Sequence, residues 1–301
     1  MRWRAAAQAA ERALPEFLLR HRWYPAKDAG RPDVELMEFA PLPAGQCDAA
    51  LAIWRVVPPR GMALQMFVPL AIVASAGSGD TIATIQRDGE NHGIADALSL
   101  DAFVREWLRF QLTENGNGFG PGVPLLAGRT GHAFALDASN ALIGRSNVEQ
   151  SNTSLRVSDR AIAKFIRKLE GGMHPELEIG RFLAAKGFSA TPPLIGWTEF
   201  AGGGGDHFAV SLLQEFVPNQ GDGWSWTLDR LTRGVAPGEQ RAIRELDQWL
   251  QTLAHRIAEL HRVLASDSHD PDFRPEPVTS EDLRRWVSAA GTMAERALGG
   301  I

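Results

Sequence analysis

The sequence is short of several things, and each shortage excludes something. Among 301 residues there is one cysteine, Cys47. A single thiol cannot close an internal disulfide, so the fold does not depend on an oxidising compartment. Cys47 stands between Gln46 and Asp48 with no histidine nearby. A nucleophilic thiol needs an activating neighbour, so Cys47 reads as incidental. Long apolar runs are also missing. The most apolar stretches, such as Met66 to Ala74, fall far short of the roughly 20 residues that span a bilayer. The start, Met-Arg-Trp-Arg-Ala-Ala-Ala-Gln, carries charge without the apolar core of a signal peptide. A cytoplasmic protein with no membrane partner is the expectation. Positive charge is not in excess: the formal net charge is −5, so no basic surface points to nucleic acid. A local loop and one lysine could still hold a phosphate. There is no internal repeat.

What is present suits a soluble chain of about two domains, at roughly 150 residues each. Residues 5–20 are Ala-rich with Leu14, Phe17 and Leu18 on one side, a helical pattern. His21-Arg-Trp-Tyr-Pro-Ala-Lys27 follows, where the plain reading of Trp23 and Tyr24 is a core anchor. Strand-forming segments come next: Val34 to Phe39, Ala50 to Val56, Leu64 to Val68 and Thr81 to Arg87. Pro- and Gly-bearing connections separate them, which predicts an antiparallel meander. Leu98 to Leu112 has the spacing of an amphipathic helix, through Leu100, Phe103, Trp107, Leu108 and Phe110. Residues 113–125 are dense in Gly and Asn and read as a linker. Residues 1–112 are therefore expected to be a self-contained module.

Beyond the linker, Ala133 to Leu136 and Ala141 to Gly144 fit a first pair of short strands. The stretch from Val148 to Leu183 is the centre of the functional argument. A polar loop, Glu149-Gln-Ser-Asn-Thr-Ser154, leads into a hairpin whose strand Ala161-Ile-Ala-Lys-Phe165 carries one lysine among apolar residues. An acidic helix follows, started well by Pro175 at its first position. A nucleoside triphosphate needs backbone N–H groups facing its phosphates, a fixed cation on the α/β-phosphates and an anchor for that cation. The loop has no glycine and matches no Walker pattern, but small hydroxyl and amide side chains let a backbone approach closely. Lys164 supplies the cation, and an ammonium in an interior strand requires a partner. Glu178 is the preferred anchor, with Glu176 the alternate on a different helix face. The plainer reading is a surface ion pair, worth roughly 0–1 kcal/mol.

Pro192 to Thr198 and Phe208 to Leu213 read as two further strands, joined by a turn at residues 202–206. An extended segment follows, in which the backbone of Glu215 and Val217 is placed to meet an adenine edge. The rest is helical: Thr227 to Arg233, then Gly238 to Ser266. In the longer helix Leu246, Leu250, Leu253, Ile257, Leu260 and Leu264 predict one buried face. Thr279-Ser-Glu-Asp282 is a helix-start capping pattern for a last helix ending near Leu298.

Three of these segments together resemble the maltokinase family, most closely the maltokinase domain fused to bacterial trehalose synthase. They are Glu149-Gln-Ser-Asn-Thr-Ser154, Pro175-Glu-Leu-Glu-Ile-Gly-Arg-Phe-Leu183 and Gln214-Glu-Phe-Val-Pro-Asn-Gln-Gly-Asp-Gly-Trp224. His21 to Lys27 is similar to the signature of that family's N-terminal cap, so the resemblance runs from about residue 20 onward. It implies an α+β, protein-kinase-like fold, akin to aminoglycoside phosphotransferases. The division it implies is a cap over 1–112, a linker over 113–125, an N-lobe over 126–218 with its hinge at 214–218, and part of a helical C-lobe over 219–301. It further implies phosphorylation of maltose by ATP to maltose 1-phosphate in trehalose and α-glucan metabolism, with trehalose synthase as a possible partner. By motif position Gln150, Ser151, Asn152, Thr153 and Ser154 carry over as the phosphate loop, Lys164 as the phosphate lysine and Glu178 as its partner.

The sequence departs from the family in one respect. The family's catalytic loop is a His-Gly-Asp segment followed by an Asp-Phe-Glu metal site. None of the eight histidines is followed by Gly-Asp. His269-Asp-Pro-Asp-Phe is the nearest imitation and has no Asn or Gln where a second metal ligand belongs. The catalytic base and the Mg²⁺ ligands of the family are thus expected to be missing, and the chain alone to be inactive. General-base help alone contributes about 10²–10⁴ in rate. The alternative is a non-catalytic kinase-fold protein that acts by binding.

Overall fold

The computed structural model describes residues 2–43, 47–74, 80–87, 89–113, 123–145, 151–202, 207–234, 240–266 and 269–298. The expected loop residue Gln150, most of the linker and most of the 202–206 turn lie outside them. Residues 1–226 form one compact unit and 227–301 a second.

The first sheet is built around β2 (Asp48–Val57), a strand buried on both faces. Successive side chains of a strand point to opposite sides. Ala50, Ala52, Trp54 and Val56 join a core with Ala6, Ala10, Leu14 and Phe17 of α1 (Arg2–Leu19). Ala49, Leu51 and Ile53 join a second core with Phe103, Val104, Trp107 and Leu108 of α2 (Asp101–Leu112). β1 (Asp33–Pro41) pairs along one edge of β2, with a bulge between Leu36 and Glu38. Two short strands share the other edge, β3 (Leu64–Phe67) and β4 (Leu70–Val73). Pro69 separates them because it has no N–H to give the ladder; its carbonyl accepts from the Ala97 N–H at 2.8 Å.

The hairpin of β5 (Thr81–Arg87) and β6 (Glu90–Asp96) completes the sheet by pairing β6 with β4. The expected meander holds for β1, β2 and β3; β4 and β6 are additions to it. β6 opens with Glu90-Asn-His, which pair with β5 alone, and from Gly93 to Asp96 it is paired with β4 as well. Cys47, just before β2, lies 3.6 Å from Glu106 Oε2. Burial, and then the Glu106 carboxylate, push its pKa up to about 12. Iodoacetamide at pH 8 is therefore expected to leave Cys47 unmodified in the native protein and to alkylate it after unfolding; rapid native labelling would contradict this.

The second sheet is antiparallel throughout. It contains β7 (Leu125–Arg129), β8 (Ile143–Arg145), β9 (Thr153–Val157), β10 (Ala161–Phe165), β12 (Leu194–Ala201) and β13 (His207–Glu215), in the order β7-β12-β13-β10-β9-β8. Between β10 and β12, β11 (Lys168–Leu169) leaves this sheet to pair with β3 of the first, and α3 (Pro175–Ala185) follows. Ala133 to Leu136 is not a strand. Phe134 packs its ring against the Arg160 guanidinium at 5.5 Å, side-chain packing in place of a ladder. The strand of that region is β7.

α2 lies between the two sheets. Trp107 is fully buried against Phe67 of the first (5.8 Å between rings) and Phe165 of the second (5.5 Å), and its indole donates to Ser211 Oγ at 2.9 Å. Residues 1–112 thus close one core of their own, on the α1 face of the first sheet, and share the other with the second sheet. The division at the linker separates two sheets that share one core.

Within the second sheet Trp197 lies across its cross-strand partner Gly128. A Cβ at Gly128 would sit 2.2 Å from Trp197 Cζ2. The indole is held there by Glu199 Oε2 at 3.0 Å and by the Arg181 guanidinium 5.0 Å over its ring. Gly128→Ala is expected to cost about 1–3 kcal/mol by overpacking, read as a lowered melting temperature. Gly131→Ala, where a Cβ meets nothing within 4 Å, is the neutral control.

The second unit holds most of α4 (Gly223–Gly234), α5 (Gln240–Leu264) and α6 (Ser280–Leu298). The capping pattern forms as read: Thr279 Oγ1 accepts from the Asp282 N–H at 3.1 Å, and Asp282 Oδ2 accepts from the Thr279 N–H at 3.1 Å. The apolar stripe of α5 is a correction. Leu246 is buried, but Leu250, Leu253 and Ile257 are 47%, 40% and 43% exposed. The period predicts an apolar face, and among the described residues little covers it. No described helix is long and apolar enough to cross a membrane.

Candidate functional site

The β9–β10 hairpin turns at Ser158 and Asp159, both at positive φ (48° and 52°). Positive φ at both central residues is the primed-turn geometry; the Arg160 N–H closes the turn on the Val157 carbonyl at 2.9 Å, and the connection from Val157 to its partner Ala161 is three residues long. Alternation then sorts the strand. Ala161, Ala163 and Phe165 enter the shared core, while Ile162 and Lys164 face the other side. Lys164 stands opposite Ser154 of β9 and Leu212 of β13.

Helix α3 supplies the partner of Lys164, and it is Glu176 rather than Glu178. The helix starts at Pro175, so Glu176 is its second residue and Glu178 lies about 200° further round, at 3.6 residues per turn. Only one of the two can face the sheet. Gly180, one turn beyond Glu176, lets the helix approach β12; a Cβ there would meet Leu194 Cδ2 at 3.2 Å. His174 precedes the helix. Burial, outweighing the pull of the Glu176 carboxylate, lowers its pKa, and its Nδ1 is buried without a hydrogen-bond partner among the described residues.

The remaining expected residues are distributed as follows. Ser151 is exposed, and Asn152, Thr153 and Ser154 are half-buried at the mouth of the hairpin. Thr153 is opposite Phe165, so its side chain turns away from Lys164, while Ser154 shares Lys164's face. Glu215 ends β13. Its N–H is committed to the Pro193 carbonyl at 2.9 Å, and its carboxylate lies 2.7 Å from His132 Nε2. Val217 is 52% exposed, and its carbonyl accepts from the Asn219 side chain at 3.1 Å. The structure thus brings Lys164, Ser154 and Glu176 together and gives Glu178 no side-chain hydrogen bond or ion pair among the described residues.

A groove of about 1140 Å³ runs along α3, lined by Glu176, Ile179, Leu183, Trp197 and Gln214 among others. It runs from Glu176 of the ion pair to Gln214 of β13. A smaller pocket of about 180 Å³ lies at the start of β9, among Trp23, Asp96, Thr153, Ser154 and Arg167. Sequence reasoning did not single out Arg167. The available signal is its setting, Phe165-Ile-Arg167 followed by Lys168-Leu169: a charge inside an apolar run needs a buried partner, here Asp96. Among the described residues no three His, Cys, Asp or Glu side chains come together to hold a metal ion.

No protein-family model matches the sequence. A glucosamine kinase of Mycolicibacterium smegmatis is 28% identical over 150 residues, which is 50% of this chain and 35% of that protein. Two crystal forms of glucosamine kinase superpose with TM-scores of 0.51 and 0.53 at 20% identity, over 93% of this chain and 55% of theirs. A third structure, glucosamine kinase with glucosamine, ADP and inorganic phosphate, gives a TM-score of 0.48 over 84% of this chain and 50% of that one. The chain spans about a third of the curated relative's length and about half of the solved structures'. The chain is homologous to glucosamine kinase and has the kinase-like fold.

Proposed function

We propose that this chain carries the nucleotide-binding part of an ATP-dependent sugar kinase. The observation that carries the reading is the Lys164–Glu176 pair, held on the hairpin face that Ser154 shares. Phosphoryl transfer asks the protein mainly for positioning and charge neutralisation. Lys164 would sit against the α/β-phosphates, with Glu176 fixing the ammonium. The loop ending at Ser154 would offer backbone N–H groups, and the segment after Glu215 would meet the base. Mg²⁺, which supplies charge neutralisation between the phosphates when bound, has no evident ligand set among the described residues.

Two observations bear on the acceptor sugar. The three motifs of the loop, α3 and the hinge favour maltose, phosphorylated to maltose 1-phosphate. The 28% identical relative favours glucosamine. The 301 residues contain no His-Gly-Asp base, so the purified chain is expected to bind ATP and to release no ADP with either sugar. ATP binding with maltose-dependent, and not glucosamine-dependent, heat stabilisation would support the maltose reading. A chain that does not bind ATP contradicts the proposal and favours a non-catalytic role in protein association.

A further inference from the structure

Arg167 joins the phosphate-loop hairpin to the first sheet. Arg167 and Asp96 are 3% and 4% exposed, and Arg167 Nη2 lies 2.5 Å from Asp96 Oδ2. Nη1 donates to the Phe67 carbonyl at 3.3 Å, and the guanidinium lies 4.5 Å over the ring of Trp23. The Arg167 carbonyl accepts from the Phe67 N–H at 2.7 Å. All these partners belong to the first sheet or to the segment just after α1.

One donor goes the other way. Arg167 Nε donates to Thr153 Oγ1 at 2.8 Å, on the first residue of β9. Thr153 and Ser154 are successive strand residues and point to opposite faces. Thr153 is opposite Phe165, in the core; Ser154 is opposite Lys164. A hold on Thr153 from the first-sheet side therefore sets how Ser154 is presented beside Lys164. The ladder with β10 alone does not require it, because valine would fill the same place in the strand.

We propose that Arg167 is a positioning residue for nucleotide binding: it clamps Thr153 to the first sheet, so that docking of that sheet and the affinity of the loop for phosphate are linked. The proposal depends on the nucleotide reading of Lys164. Linkage is reciprocal, so nucleotide bound at the loop also stabilises the first sheet's hold on Arg167.

The test is ATP titration, well below the melting temperature, into the parent chain and the Arg167→Lys, Thr153→Val and Lys164→Ala variants, with melting curves and amide exchange over residues 151–155. Arg167→Lys keeps a charge opposite Asp96 but loses the planar fork that reaches two partners at once. Thr153→Val keeps the shape and removes the acceptor. Both are expected to weaken ATP binding about tenfold and to speed exchange over 151–155. Lys164→Ala is expected to weaken binding with that exchange unchanged. Lowered melting with parental ATP affinity in both clamp variants would make Arg167 structural only and overturn the proposal. A parent that binds no ATP, or a Lys164→Ala variant that binds as the parent does, would overturn the nucleotide reading and this inference with it. Should Arg167→Lys fail to fold, Thr153→Val decides alone.

Discussion

Asp96→Ala is expected to lower the stability of the 1–226 unit by about 3–5 kcal/mol, the usual cost of removing one partner from a buried ion pair. At roughly 2–4 °C per kcal/mol for a unit of this size, the melting temperature falls by about 6–20 °C. The loss is large because of what remains. Arg167 keeps the Phe67 carbonyl, Thr153 and the Trp23 ring, but its charge, 3% exposed, loses its counterion. An exposed pair behaves differently. Arg31 and Glu16 are 2.9 Å apart with side chains 57% and 66% exposed, and Glu16→Ala is expected to change stability by less than about 1 kcal/mol. Differential scanning calorimetry of the two variants side by side checks the contrast. Equal, small shifts would mean that Arg167 is solvated in solution and does not join the two sheets.

Lys164→Ala is expected to weaken ATP binding roughly ten- to a hundredfold, the worth of about 1.5–3 kcal/mol for a hydrogen bond to a charged group. Stability should change little. Lys164 and Glu176 have side chains 21% and 33% exposed, so the glutamate left behind can be hydrated. The partner is tested in the same titration. Glu176→Gln should weaken binding by a smaller factor, because the lysine remains but is no longer fixed. Glu178→Gln should leave binding unchanged, because its side chain faces away from the pair. A Glu178 effect larger than the Glu176 effect would show that α3 turns when nucleotide binds.

Much of this was legible in the sequence where local chemistry decides. Pro175 marks the start of α3, the Thr279–Asp282 cap marks the start of α6, and the apolar spacing of 98–112 marks α2. Lys164 stands out because an ammonium in an apolar strand demands a partner. What could not be read depends on geometry between distant segments. Two glutamates two positions apart are equivalent in sequence, and the placement of α3 against β12 selects Glu176. Ala133 to Leu136 looks like a strand, although Phe134 packs by its ring against Arg160 instead of joining a ladder. Arg167 and Asp96 are 71 residues apart, and nothing local links them. The stripe of α5 carries the opposite lesson: periodicity states which face is apolar, not whether anything covers it.

Amide hydrogen exchange of the purified chain, with and without saturating ATP, tests the central claim most directly because it reports where the nucleotide binds. The account predicts slowed exchange in three places: the mouth of the hairpin over 151–155, the β10 strand around Lys164, and the segment at 214–217. Slowing confined to other segments, or no change at ATP concentrations up to the millimolar range, would contradict it.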